Sequence, residues 1–112
     1  MVDRYVPDRG DLVWLQFDPQ SGYEQAGKRP ALVISPATYN GKVGLSLFCP
    51  VTSRVKGYPF EVILPQNLPI EGVILSDQIK NLDWQSRQTK FICKVPQETL
   101  IEVISKVDLL IR

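Results

Sequence analysis

Two features of the sequence predict its fold class: mainly β, a small and strongly curved antiparallel barrel with a C-terminal helix appended. Between residues 11 and 95, short apolar runs recur, separated by clusters of Gly, Pro, Asn, Asp and Ser. From Pro96 the period changes, and Leu100, Val103, Ile104, Val107, Leu110 and Ile111 fall at helical spacing. With 112 residues the chain is expected to form a single domain over 1-112, large enough for a core and small enough to gain from a partner subunit.

The first strand is expected over Asp11–Phe17, DLVWLQF, after the turn-like Pro7–Gly10. Both of its faces carry apolar side chains, so one should meet the core and the other a second layer or a subunit partner. A loop rich in Gly, Gln and Ser follows over Asp18–Lys28. Pro30 then marks the start of a buried strand at Ala31–Ser35 and biases Arg29 toward an extended conformation at the sheet rim.

A turn at Asn40–Gly41 leads to a strand over Leu45–Val51, with Thr52 at its end. The loop Ser53–Gly57 opens into another extended run, Tyr58–Leu64. Antiparallel pairing of these two runs would bring Thr52, Arg54, Lys56 and Tyr58 to one edge. Pro65 and Pro69 break the next connection. Gly72–Ser76 is then a buried strand that Asp77–Lys80 would continue, and Asn81–Arg87 forms a turn or short helix anchored by Trp84. Lys90–Val95 is the last strand, and Pro96 with Glu98 suits a helix start. Five or six short strands and one helix make an SH3-like barrel.

Thirteen basic and twelve acidic side chains leave a net charge of +1, which neither selects nor excludes nucleic acid. The absence of histidine tells more. It removes the usual imidazole acid–base pair and any histidine metal centre. Asp11, Asp18 and Asp77 lack a metal-loop spacing, and there is no Gly-rich phosphate loop, so neither a metal nor a cofactor is expected. Cys49 and Cys93 lie in strand-like runs and read as buried thiols. With neither a signal-peptide core nor a membrane-length apolar run, a soluble cytoplasmic protein is expected, without membrane contact.

Hydrolytic or transfer chemistry would therefore fall to Arg, Lys, Glu, Asp, Ser, Thr or Tyr. Arg29 reads either as a solvated or ion-paired cation, or as a fork that stabilises charge on a phosphate. Thr52 could donate its hydroxyl to the same group. Glu24 either balances Lys28 or Arg29, or accepts the proton of a ribose 2′-hydroxyl, which would cut RNA without a metal. Arg54 and Lys56 could position phosphates and Tyr58 could stack on a base. Gln78 and Lys80 could contact a base edge or the backbone, with plain exposure as the alternative. Trp14 and Trp84 read as packing residues or subunit contacts.

Four linked segments, RGDLVWLQFDP, EQAGKRPALVIS, PVTSRVKGYPFEV and GVILSDQIKNLDW, continue into the terminal helical stretch. Over nearly its whole length this pattern resembles the MazF/PemK family of toxin endoribonucleases. The resemblance implies an SH3-like barrel that forms a homodimer, with Arg29 and Thr52 as the catalytic pair and Glu24 as a further catalytic or loop-organising residue. It sets Phe17, Asp18, Gln25, Lys28, Ser53, Arg54, Lys56 and Tyr58 around single-stranded RNA, and matches Gln78 and Lys80 to the segment that lines its path. It also implies a cognate antitoxin with an acidic, partly disordered tail, and contact with operator DNA only through the antitoxin complex. The implied activity is sequence-selective cleavage of mRNA by a growth-arresting toxin. Two other functions fit a barrel of this kind: a noncatalytic toxin that binds DNA gyrase, and a passive RNA-binding module. The terminal LLIR lacks the aromatic-containing tail expected of the gyrase-directed branch.

Overall fold

Residues 5–17 and 27–112 are described by the computed structural model. The strands among them are β1 (Asp11–Gln16), β2 (Lys28–Val33), β3 (Leu45–Thr52), β4 (Glu61–Ile63), β5 (Val73–Leu75), β6 (Lys80–Asp83) and β7 (Lys90–Lys94). Helices α1 (Ala37–Val43) and α2 (Gln97–Ile111) accompany them. The pairings are antiparallel in the order β4-β5-β3-β2-β1-β7, with β6 also paired to β3. The result is an open, curled sheet with a C-terminal helix, in agreement with the expected class, although the described residues hold seven strands and the additional helix α1 where five or six strands and one helix were expected.

β3 produces the curl. Along one side it pairs with β2 through Phe48, Cys49 and Pro50. Along the other its first half pairs with β6 and its last two residues, Val51 and Thr52, with β5. One strand thus passes from one sheet into another, and side-chain alternation sorts its residues between two cores. Leu12, Leu32, Cys49, Val51 and Ile74 lie inside the curl, closed off by Leu100, Val103 and Val107 of α2. Val13, Leu15, Ala31, Val33 and Phe48 pack with Trp84 on the opposite face. Both faces of β1 therefore pack within the chain, except that Trp14 and Gln16 toward its end are only half-buried.

Three expectations are corrected. Asn40 and Gly41 lie inside α1 rather than in a turn, because tertiary bonds override the local turn preference of Asn-Gly. Fully buried Asn40 donates to the Pro7 and Ser35 carbonyls at 2.7 and 2.9 Å, and accepts from the Ser35 hydroxyl at 2.6 Å. The Tyr58–Leu64 run yields only β4, which pairs with β5 and not with β3. β5 occupies that place at the end of β3. The strand expected over Gly72–Ser76 stops at Leu75 instead of continuing through Asp77–Lys80, and Lys80–Asp83 starts a separate strand where a turn or helix was expected. Trp84 is the anchor foreseen: it is buried, and its indole donates to the Asn40 carbonyl at 2.9 Å.

Cys49 and Cys93 are free thiols, and burial pushes that of Cys49 up to about 12. At the start of β1, nearly buried Asp11 accepts from the Tyr5 hydroxyl at 2.5 Å and pairs with Lys94 at 2.8 Å. Burial first, then Asp11, raises the Tyr5 hydroxyl. The bond to Asp11 raises Lys94. Both groups hold their protons more tightly folded than unfolded, so their stabilisation is complete below about pH 10, the unfolded range, and is lost as pH rises further. The melting temperature is expected to fall above about pH 10, and to fall less steeply in Tyr5→Phe. Parallel alkaline curves for the two proteins would contradict the Tyr5 contribution.

Candidate active site

Arg29 and Thr52 reach one place because β2 and β3 are neighbours in register. Ala31 faces Pro50 and Leu32 faces Cys49, and the same register carried outward sets Arg29 against Thr52. Lys28 and Arg29 belong to the strand itself, which begins two residues before Pro30; both side chains are exposed. Arg29 and Thr52 line one open depression of about 600 Å3, with Arg54, Trp14, Ile70 and Glu71 on its other walls. Among the described residues neither Arg29 nor Arg54 has an ion-pair partner.

Thr52 is oriented by its own chain. Its hydroxyl oxygen accepts the Arg54 backbone N–H at 3.1 Å, a local turn typical of Thr. That bond leaves the hydroxyl hydrogen to be offered to a ligand oxygen. Behind Thr52 lies Gly72, at φ +132°. A Cβ there would stand 2.3 Å from the Thr52 carbonyl oxygen. Only glycine lets the two backbones come so close.

On the far side of Thr52 a smaller hollow of about 180 Å3 is lined by Arg54, Lys56, Tyr58, Asp77 and Gln78 as well as Thr52. The expected gathering of Thr52, Arg54, Lys56 and Tyr58 therefore occurs, although not through the hairpin that predicted it. Glu61 holds this loop: its carboxylate accepts the Gly57 N–H at 2.9 Å and the Lys56 N–H at 3.2 Å. The Lys56 ammonium lies 5.8 Å from the Tyr58 ring centre, within cation–π reach.

Ser53 lines the larger depression only. Lys28 and Lys80 are exposed but line neither hollow, and half-buried Phe17 packs against the second core. Asp18, Glu24 and Gln25 lie outside the described residues. The stem from which their segment departs is well tied. The Phe17 N–H donates to the Gly27 carbonyl at 2.6 Å. The Arg87 guanidinium donates to the carbonyls of Gln16 and Phe17 at 3.0 and 2.8 Å.

Trp14, expected as a packing residue or a subunit contact, is half-buried and forms a wall beside Arg29. Arg87, Glu61, Glu71 and Asp77 were not singled out for this site. A glycine-bounded turn followed by Glu61 was the one local signal among them. Arg87 acts on carbonyls some 70 residues away, which no local pattern records.

An open, curled barrel with arginines that have no ion-pair partner among the described residues, gathered around a strand-end hydroxyl, defines a small protein suited to receiving a chain of anionic groups. Over residues 8–111 the sequence matches the PemK-like, MazF-like toxin of type II toxin-antitoxin systems, and the chain belongs to that family. It is 49% identical to the endoribonuclease toxin MazF of Escherichia coli (strain K12) over 111 residues, covering 99% of each. It is 32% identical to the endoribonuclease toxin ChpB of the same strain, covering 96% of this chain and 97% of that one. Among solved structures, crystalline MazF from Deinococcus radiodurans matches with a TM-score of 0.88 at 56% identity, covering 96% and 97% of the two chains. A MazE–MazF crystal structure from the same organism matches with a TM-score of 0.86 at 51% identity, covering 96% of each.

Proposed function

We infer that this chain, acting as one domain, is an endoribonuclease toxin that cuts single-stranded mRNA without a metal, at selected sequences, and so arrests growth. The single observation that carries the mechanism is the meeting of exposed Arg29 with the pinned Thr52 hydroxyl in one depression. In this reading the ribose 2′-oxygen attacks the adjacent phosphorus and the bond to the 5′-oxygen breaks. The products are a 2′,3′-cyclic phosphate and a 5′-hydroxyl, the departing oxygen having taken up a proton. Arg29 carries the charge that builds on the nonbridging oxygens, and Thr52 donates to one of them. Arginine stays protonated throughout, so its part is electrostatic. Glu24 takes the 2′-hydroxyl proton or organises the loop. Lys56, Arg54 and Tyr58 hold the neighbouring nucleotides, with Gln78 at a base edge.

The full-length likeness to MazF supports the activity, and the likeness to MazE–MazF supports an antitoxin as partner. We assign that antitoxin an acidic tail that competes with RNA for the cations of the site, and operator DNA is met only in its company. No described helix is long and apolar enough to cross a membrane, and we place the toxin in the cytoplasm with its substrate. A homodimer fits the outer face of α2, where Ile101 and Ile104 are exposed beside the chain end at Leu109–Ile111.

The reading is tested by mapping product ends from a mixed RNA pool in EDTA, with light scattering on the same protein. Cyclic-phosphate and 5′-hydroxyl ends and a dimeric mass are expected. RNA that is bound but uncut would favour a passive binding module, and gyrase binding without cleavage would favour the other toxin branch. A monomer at working concentration would remove the dimer.

A further inference from the structure

The depression that holds Arg29 and Thr52 has a second half with a different chemistry. Trp14, Pro69 and Ile70 give it apolar walls, and Glu71 adds a carboxylate. A carboxylate beside two arginines is out of place if the whole depression serves phosphate, because it repels the same anion that the arginines attract. It is also not there to neutralise them. Among the described residues Glu71 has neither an ion-pair nor a hydrogen-bond partner. The backbone fixes its place: Gly72 is pressed against the Thr52 carbonyl, so the residue before it stands at the lip of the site. A volume of about 600 Å3 lies within the roughly 300–1,000 Å3 range of small-molecule sites.

We propose that Glu71 reads the base of a nucleotide next to the cleaved bond and selects one that carries an amino group. The inference rests on the endoribonuclease reading above. With its phosphate at Arg29 and Thr52, a nucleotide lays its base against Trp14 and Pro69, and aromatic contact of this kind accepts any base. Selectivity then comes from the edge. An ionised carboxylate only accepts hydrogen bonds. Adenine and cytosine offer it an amino group, and guanine offers an amino group beside a ring N–H. Uracil presents carbonyl oxygens on either side of its single N–H, and these face the carboxylate as like charges. Glu71 thus admits amino-bearing bases and rejects uracil, and its negative charge also keeps a second phosphate from occupying the base half.

The test is cleavage of a randomised RNA pool in EDTA by wild type and Glu71→Gln, reading base frequencies around every cut. The glutamine is isosteric and lies on an exposed position, and it both donates and accepts. Wild type is expected to exclude uracil roughly tenfold at one position flanking the cut. Glu71→Gln should lose that exclusion at the same position and keep the wild-type preference at every other one. Identical base frequencies for the two proteins would overturn the assignment while leaving the nuclease reading intact. A uniform acceleration at all sequences would overturn it as well, since Glu71 would then act only as a charge that repels RNA. Absence of cuts by wild type would instead bring down the nuclease reading, and this inference with it.

Discussion

Arg29→Ala is expected to fold as the wild type does and to cut RNA at least about a hundredfold more slowly, the usual cost of removing one donor aimed at transition-state charge. The fold should be indifferent because Arg29 is exposed and holds up no core residue; Ala31 and Val33, further along β2, do that work. The loss should appear mainly in kcat, since the proposed reading leaves Arg54 and Lys56, which line the neighbouring hollow, to bind RNA. Lysine is not an adequate replacement, because a point charge cannot reproduce the two parallel bonds of a guanidinium. Single-turnover cleavage measured beside a melting curve separates the outcomes. A folded Arg29→Ala protein that cut at the wild-type rate would falsify the assigned role.

Gly72→Ala should produce the opposite pattern, with stability and activity falling together. A methyl group at this position meets the Thr52 carbonyl oxygen at 2.3 Å, and the backbone there has φ +132°. Backbone strain and forced separation each cost on the order of 1–3 kcal/mol, so a loss of about 2–6 kcal/mol is expected. Relief requires that β5 and the end of β3 move apart, which takes Val73 from its place opposite Thr52. The Thr52 hydroxyl is then displaced relative to Arg29, and the rate should drop even at temperatures where the protein remains folded. Chemical denaturation and a cleavage assay at low temperature read the two effects. Wild-type stability in Gly72→Ala would mean that the two backbones do not meet as described.

The sequence made some parts of this arrangement readable and hid others for physical reasons. The strand carrying Arg29 and the strand ending in Thr52 were legible because apolar runs bounded by breakers mark buried strands. Their side-by-side pairing was not legible, because the connection between them holds α1 and no local pattern sets the register across it. The wrong pairing arose where adjacency in sequence was taken for adjacency in space: β5, later in the chain, pairs with the end of β3, and β4 is left outside it. Trp14 reads in the sequence as a packing residue or a subunit contact; its position opposite Pro30 in the register makes it a wall of the site. Glu71 was concealed in a proline-rich connection whose path follows from tertiary contact alone. Arg87 leaves no local trace, since a guanidinium that caps two distant carbonyls looks like any surface cation.

The tied stem beneath residues 18–26 has an evolutionary consequence. With Phe17 bonded to Gly27 and Arg87 capping the last carbonyls of β1, the two ends of that segment are fixed whatever lies between them. Lengthening a segment whose ends are already fixed costs little, about 0.6 kcal/mol for a doubling. Descendants of this chain can therefore exchange the insert wholesale without renegotiating the barrel. Under the endoribonuclease reading proposed above, such an exchange would alter contacts with RNA without touching the wall that bears Arg29 and Thr52.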